Sequence, residues 1–287
     1  MKVLVLGAGG QVGRAVMRAL TGSHQTVAKT RAELDIGDES SVAAALAGRD
    51  FEWIVNAAAY TAVDLAEAEP APAFAANDAA AGVLARAAAR TGCRLLHLST
   101  DFVFDGASSR AYRPADAPNP LGVYGASKLA GEHRVLAVGS AIVLRTAWVY
   151  ASAGQNFVLT MLRLMRERPE VRVVCDQIGA PTWAAGLALA IRGLIEASPP
   201  AGIHHWTDLG VASWYDFAVA IQEEALARGL LPRAVPITPI RSGEYPTRAR
   251  RPAFSVLDTD STRALIAAPA AHWRQNLRIM FDELRAA

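Results

Sequence analysis

The chain has 287 residues, 52% of them apolar, enough to bury one large core or two unequal ones, which excludes a disordered protein. Its 29 basic and 27 acidic residues leave a net charge of +2 spread along the chain, without the one-sided excess of a nucleic-acid binder. The two cysteines, Cys93 and Cys175, lie among apolar neighbours and exclude a disulfide framework, and the opening run Val3–Leu6 is too short for a signal-peptide core or membrane span. A cytoplasmic protein without membrane attachment is expected.

Short β-rich runs alternate with longer Ala-rich helical stretches, which predicts an α/β fold: a doubly wound parallel sheet covered by helices on both faces. The first strand, Lys2–Leu6, runs into Gly7-Ala8-Gly9-Gly10-Gln11-Val12-Gly13 and then a helix near Val12–Leu20. Strand, glycine turn and helix in that order suit a dinucleotide pyrophosphate. Gly7 permits the tight turn, Gly10 lets backbone N–H groups approach the phosphates, and Gly13 lets helix and strand pack closely. The spacing is G-x-x-G-x-x-G, so the context carries the reading, against an ordinary glycine-rich turn.

The second strand, Thr26–Lys29, ends in Lys29-Thr30-Arg31, where a dinucleotide fold places the group that meets the adenosine ribose. Lys29 and Arg31 favour a 2′-phosphate, hence NADPH; two solvated surface cations are the competing reading. Asp35 and Ile36 are expected beside the adenine, before a helix near Ser40–Ala47. The third strand, Trp53–Ala57, ends in Asn56-Ala57-Ala58-Ala59-Tyr60, whose small side chains leave room for a cofactor, and a long helix is expected over Ala71–Arg90.

The fourth strand, Arg94–Leu98, is followed by Ser99-Thr100-Asp101, and a proline-containing loop leads to Tyr124 and Lys128 at the start of a helix near Gly125–Ala137. Four residues apart, Tyr124 and Lys128 share one helix face. Hydride addition to a ketone leaves negative charge on oxygen; a tyrosine can protonate it, an ammonium beside the tyrosine lowers its pKa, and the Thr100 hydroxyl can orient the same oxygen. Y-x-x-x-K alone is a common coincidence of packing and surface residues. Its place after the glycine turn and a Ser/Thr strand end is what makes it a catalytic candidate.

A fifth strand is expected over Ala141–Arg145. Strands at Arg172–Cys175 and Ile203–Trp206, with a helix over Ala184–Glu196, would complete a nucleotide-binding domain that begins with residues 1–155. Residues 156–287 supply a smaller lobe: a helix from Ser213 through Gly229, a stretch with Pro232, Pro236, Pro239, Pro246 and Pro252, and a last helix near Ala271–Leu284.

Taken together, Gly7–Gly13, Asn56–Asp64, Ser99–Asp105, Val123–Glu132, Arg145–Tyr150, Asp176–Thr182 and Arg250-Arg251-Pro252 resemble the extended short-chain dehydrogenase/reductase family over almost the whole chain. The resemblance implies reduction of the C4 ketone of a dTDP-linked 4-dehydro-6-deoxy-L-mannose by NADPH or NADH. It assigns cofactor contacts to Gly10, Gln11, Val12, Asp35, Ile36, Ala59, Tyr60 and Thr61, a shared catalytic and cofactor role to Tyr124 and Lys128, and sugar contacts to Thr100, Asp101 and Trp148. Arg248, Arg250 and Arg251 suit a substrate diphosphate, or a solvated surface. Members associate with Mg²⁺ as dimers through acidic residues including one on the first helix, where this chain has Ala15. No metal site is therefore assigned, and monomer and homodimer both stay open. Relatives include a noncatalytic regulatory subunit of methionine adenosyltransferase, and epimerases and dehydratases that recycle their nicotinamide. Dehydratases carry a Glu after the Asp of the strand end; here position 102 is Phe102.

Overall fold

The computed structural model describes residues 1–266, 268–269 and 271–286; residues 267, 270 and 287, which the sequence places in the smaller lobe, lie outside the described residues. In chain order the elements are β1 (Lys2–Leu6), α1 (Gln11–Leu20), β2 (Gln25–Lys29), α2 (Glu39–Leu46), β3 (Trp53–Asn56), α3 (Val63–Ala68), α4 (Pro70–Phe74), a π turn (Ala75–Ala79), α5 (Ala80–Thr91) and β4 (Arg94–Thr100). After a 3₁₀ turn (Asp101–Val103) come α6 (Val123–Leu136), β5 (Ile142–Thr146), β6 (Val149–Tyr150), α7 (Phe157–Glu167), β7 (Val171–Val174), β8 (Ile178–Gly179), β9 (Thr182–Trp183), α8 (Ala184–Ala197) and β10 (Gly202–His205). The chain closes with β11 (Ala212–Ser213), α9 (Trp214–Ala227), β12 (Ile237–Ile240), α10 (Asp260–Leu265) and α11 (Trp273–Ala286).

Six strands form one parallel sheet in the order β10-β5-β4-β3-β1-β2. This is the predicted doubly wound sheet, and its strand sequences explain it. Successive side chains point to opposite faces, so Val3 and Val5 enter one core with Val16 and Leu20 of α1 and Leu187, Ile191 and Leu194 of α8. Leu4 and Leu6 enter the other, with Leu46 of α2 and Leu84 and Ala88 of α5. Strands apolar on both faces can only sit between two helical layers.

The strand over Arg172–Cys175 does not extend that sheet. Gly202–His205 pairs directly with β5, and β7 instead pairs in parallel with β12. Pro239 is tolerated in β12 because a two-stranded ribbon leaves one edge that needs no N–H donor. The lobe's own core gathers Val158 and Leu162 of α7, Val171 and Val173 of β7, Phe217 and Ile221 of α9 and Leu277 and Phe281 of α11. Two further differences bear on the site. The helix expected over Ala71–Arg90 is broken by the π turn, and β4 runs two residues beyond Leu98, making Thr100 its last residue.

Candidate active site

Register brings the predicted residues to one edge. Leu6 lies beside Lys29 and Asn56, Asn56 beside His97, and Thr100 beside Thr146, so the glycine turn and the ends of β2, β3, β4 and β5 share the carboxyl edge of the sheet. In parallel α/β sheets ligands bind at that edge.

The glycine turn is built tightly. Gly7 has φ +73°, and a Cβ there would lie 2.6 Å from the Ala58 nitrogen; at Gly13 it would lie 2.2 Å from the Gly7 oxygen. No side chain other than hydrogen fits either place, which is a cradle of the kind a pyrophosphate needs. Gly10 caps α1 without a side-chain bond, and no acidic residue occupies the first turn, so the helix offers free N–H groups and no opposing charge. Gln11 ties its side-chain amide to the Gln155 carbonyl and to Asn156 (both 3.0 Å), leaving its backbone as the part available to an anion; Val12 is half-buried beside it.

At the end of β2, Lys29 is half-buried and Arg31 exposed, and neither forms an ion pair among the described residues. Glu33 gives its carboxylate to the Thr30 N–H and hydroxyl (2.8 and 2.7 Å), bonds that hold it below its usual pKa. Asp35 is exposed and accepts from the Gly37 N–H; Ile36 packs on the core. Ala59 and Thr61 are exposed, and Tyr60 is held by Asn77, which accepts from the Tyr60 N–H (2.9 Å) and donates to its carbonyl and to the Ser127 hydroxyl (3.0 Å each). Asn77 sits in the π turn. It joins the loop after β3 to α6, and no sequence periodicity marks it.

Thr100 stands beside the Tyr124 phenol; its hydroxyl donates to Asp101 Oδ1 at 3.0 Å and accepts the Phe102 N–H at 3.2 Å. Phe102 packs edge-on against Tyr124, ring centroids 5.5 Å apart, so an aromatic ring stands where a dehydratase has its acid. Burial pushes the Tyr124 phenol up to about 12, with the Thr100 hydroxyl working against this and the Asp101 carboxylate adding to it. The expected lowering by the lysine is not seen: the phenol loses its water on burial, and the Lys128 amine is turned to the Leu98 carbonyl and His97. Asp101 is itself raised by burial, to about 6.

Lys128 is 2% exposed and donates to the Leu98 carbonyl at 2.7 Å, with His97 Nε2 3.3 Å away. Burial lowers its pKa to about 8 while Glu132 works the other way. Glu132, also buried, accepts from the Ser99 hydroxyl and from Nε and Nη2 of Arg145 on β5 (2.9 and 2.6 Å), clamping α6 to β4 and β5 behind Tyr124 and Lys128. Sequence reading missed this clamp, although Glu132 and Arg145 both stand in the resembling segments.

Trp148, just past β5, has φ +48°, strained for a residue with a side chain, and its indole stacks on Trp214 of α9 at 3.4 Å. Gly179 makes the room, since a Cβ there would lie 2.5 Å from the Trp148 ring. A cavity of about 1080 Å³ opens beside this pair, lined by Phe157, Gln177, Trp214, Tyr245, Arg250 and Arg251. Arg251 binds Asp64 of α3 through two nitrogens (2.6 and 3.2 Å) and so spends its charge there. Arg248 and Arg250 are exposed, and neither is ion-paired among the described residues. No group of three His, Cys, Asp or Glu side chains placed to hold a metal ion occurs among the described residues, and Ala15 of α1 is buried. No helix among them is long and apolar enough to cross a membrane.

Residues 1–286 match the family described as the RmlD substrate binding domain. A dTDP-4-dehydrorhamnose reductase from Burkholderia thailandensis is 43% identical over 295 residues, covering 99% of each chain. The crystal structure of a dTDP-4-dehydrorhamnose reductase from Clostridium acetobutylicum superimposes with a TM-score of 0.93 at 35% identity, covering 99% of this chain and 100% of the other. One from Bacillus anthracis, in complex with NADP, gives 0.92 at 34% identity, covering 98% and 99%.

Proposed function

Since this chain belongs to the RmlD substrate binding domain family, we propose that it is the NADPH-dependent enzyme that reduces the C4 ketone of dTDP-4-dehydro-β-L-rhamnose to dTDP-β-L-rhamnose. The observation that carries the reading is the meeting of Thr100, Tyr124 and Lys128 at the sheet edge that also holds the glycine cradle. When bound, the nicotinamide cofactor supplies the hydride. Gly7, Gly10 and Gly13 with the first N–H groups of α1 hold its phosphates, Lys29 and Arg31 meet a 2′-phosphate, and Ala59, Tyr60, Thr61, Asp35 and Ile36 line its course.

The phenol of Tyr124, kept protonated at neutral pH by burial, gives its proton to the oxygen on which charge develops, and the Thr100 hydroxyl orients that oxygen. A phenolate left behind in a dry site needs a cation, and Lys128 is the nearest candidate on the same helix face. The Trp148 indole offers the deoxysugar a flat apolar surface, Asp101 a hydrogen-bond acceptor, and Arg250, with Arg251 behind it on Asp64, a partner for the diphosphate. Both cysteines are free, which suits the reducing cytoplasm where we place the enzyme, as a monomer or homodimer without a bridging metal.

A reductase consumes one external hydride per product, because nothing in the substrate regenerates the cofactor. With dTDP-4-dehydro-L-rhamnose, NADPH oxidation should match dTDP-L-rhamnose formation one to one. Conversion without oxidation would assign an epimerase or dehydratase, and neither event across a panel of nucleotide-linked 4-keto-6-deoxysugars would assign a binding module.

A further inference from the structure

Asn56, at the end of β3, is buried with its amide orientation fixed. Its Oδ1 accepts the Ala58 N–H at 3.1 Å, and turning the amide over would set two donors against each other. Its Nδ2 therefore faces His97 Nδ1, 2.9 Å away, and donates to it. A ring nitrogen that accepts a hydrogen bond carries no proton. His97 is 1% exposed, and burial, helped by the charge of Lys128, holds its pKa well below the ordinary histidine value, so the ring is neutral. Its single proton is on Nε2, the atom that faces Lys128 Nζ at 3.3 Å.

We propose that His97 is a positioning residue for Lys128: locked by Asn56 with its proton on Nε2, it donates to the neutral lysine amine and opposes the ammonium. An amine has a lone pair to accept that N–H, whereas an ammonium has only hydrogens to set against it; the Leu98 carbonyl takes one Nζ hydrogen in either state. Burial acts in the same direction. The other charged groups on the helix of Lys128 and on the elements packed against it are engaged elsewhere, save one oxygen of Asp101. Glu132 on its own helix, the one that favours the ammonium, is bound to Arg145 of β5; Asp101 on the 3₁₀ turn takes the Thr100 hydroxyl; and Asp78 on the π turn pairs with Arg134. On α3, Asp64 binds Arg251 and Glu67 accepts the Val123 N–H. Tyr124 is neutral near pH 7. Lysine is thereby poised to lose and regain a proton near neutrality, as a residue that re-protonates a tyrosine must. This use of the poise rests on the catalytic role proposed above for Lys128.

The lock is read directly by long-range ¹H–¹⁵N correlation of the histidine rings in the labelled full-length protein. The proton of His97 is expected on Nε2; a proton on Nδ1 would overturn the proposal. Asn56→Asp places a carboxylate against Nδ1, which pulls the proton there and leaves Nε2 as an acceptor for the ammonium. The Lys128 titration, followed by NMR at Cε, should then move up by about one pH unit, and the alkaline limb of the reduction rate with it. A lysine titration unmoved in a variant whose tautomer has inverted also overturns the proposal. If the titration moves and the rate profile does not, the lock stands and the catalytic assignment of Lys128 falls.

Discussion

The carboxyl edge of the six-stranded sheet and the smaller lobe around α7, α9 and α11 are held together differently. Along the edge, the candidate residues lie at strand ends, in the loops that follow them or in the first two turns of the next helix, so chain order sets their positions. In the lobe, β7 finds β12, Trp148 finds Trp214, and Arg251 finds Asp64 across 187 residues. The edge has one geometry that every strand enforces, which suits chemistry. The lobe is assembled from short ribbons and side-chain pairs, which suits recognition, since a pair can change without disturbing the sheet.

The sharpest way to break that contrast is Gly13→Ala. In an exposed helix interior the change stabilises by about 1 kcal/mol, but here the new Cβ meets the Gly7 oxygen at 2.2 Å. We expect a loss of about 3 kcal/mol or more by denaturant unfolding, together with loss of cofactor binding. A stabilised, active variant would mean that the turn is not the rigid cradle described.

The contrast also explains what was legible in the sequence. Val3 and Val5 against Leu4 and Leu6 announce a strand buried on both sides, and the glycine spacing and the Tyr124–Lys128 interval are local patterns. What escaped depends on distant partners or unusual backbone. The π turn exists to bring Asn77 to Tyr60 and Ser127; the Trp148 φ exists within a stack on Trp214; β7 leaves the sheet because β10 takes the place beside β5. Burial that reverses the pKa expected for Tyr124 is likewise a property of the packed site, not of the spacing.

In the lobe the effects should be smaller and confined to binding. Arg250→Ala should raise KM for the nucleotide sugar about tenfold and leave kcat within about twofold, because the contact proposed for it is with the diphosphate and not with the reacting carbon. An equal fall in kcat would move Arg250 into the chemistry. The smallest effect is expected at the end of β2, where Arg31→Ala should weaken NADPH binding several-fold, about 1 kcal/mol, and NADH hardly at all. Equal losses would leave Lys29 and Arg31 as surface charge.

Tyr124→Phe tests most directly whether chemistry resides on the sheet edge, because it removes one hydroxyl and keeps the ring against Phe102. Cofactor affinity, measured by fluorescence titration, should stay within about threefold of the parent while kcat for substrate-dependent NADPH oxidation falls about 100-fold or more. Near-normal turnover by this variant would contradict the account.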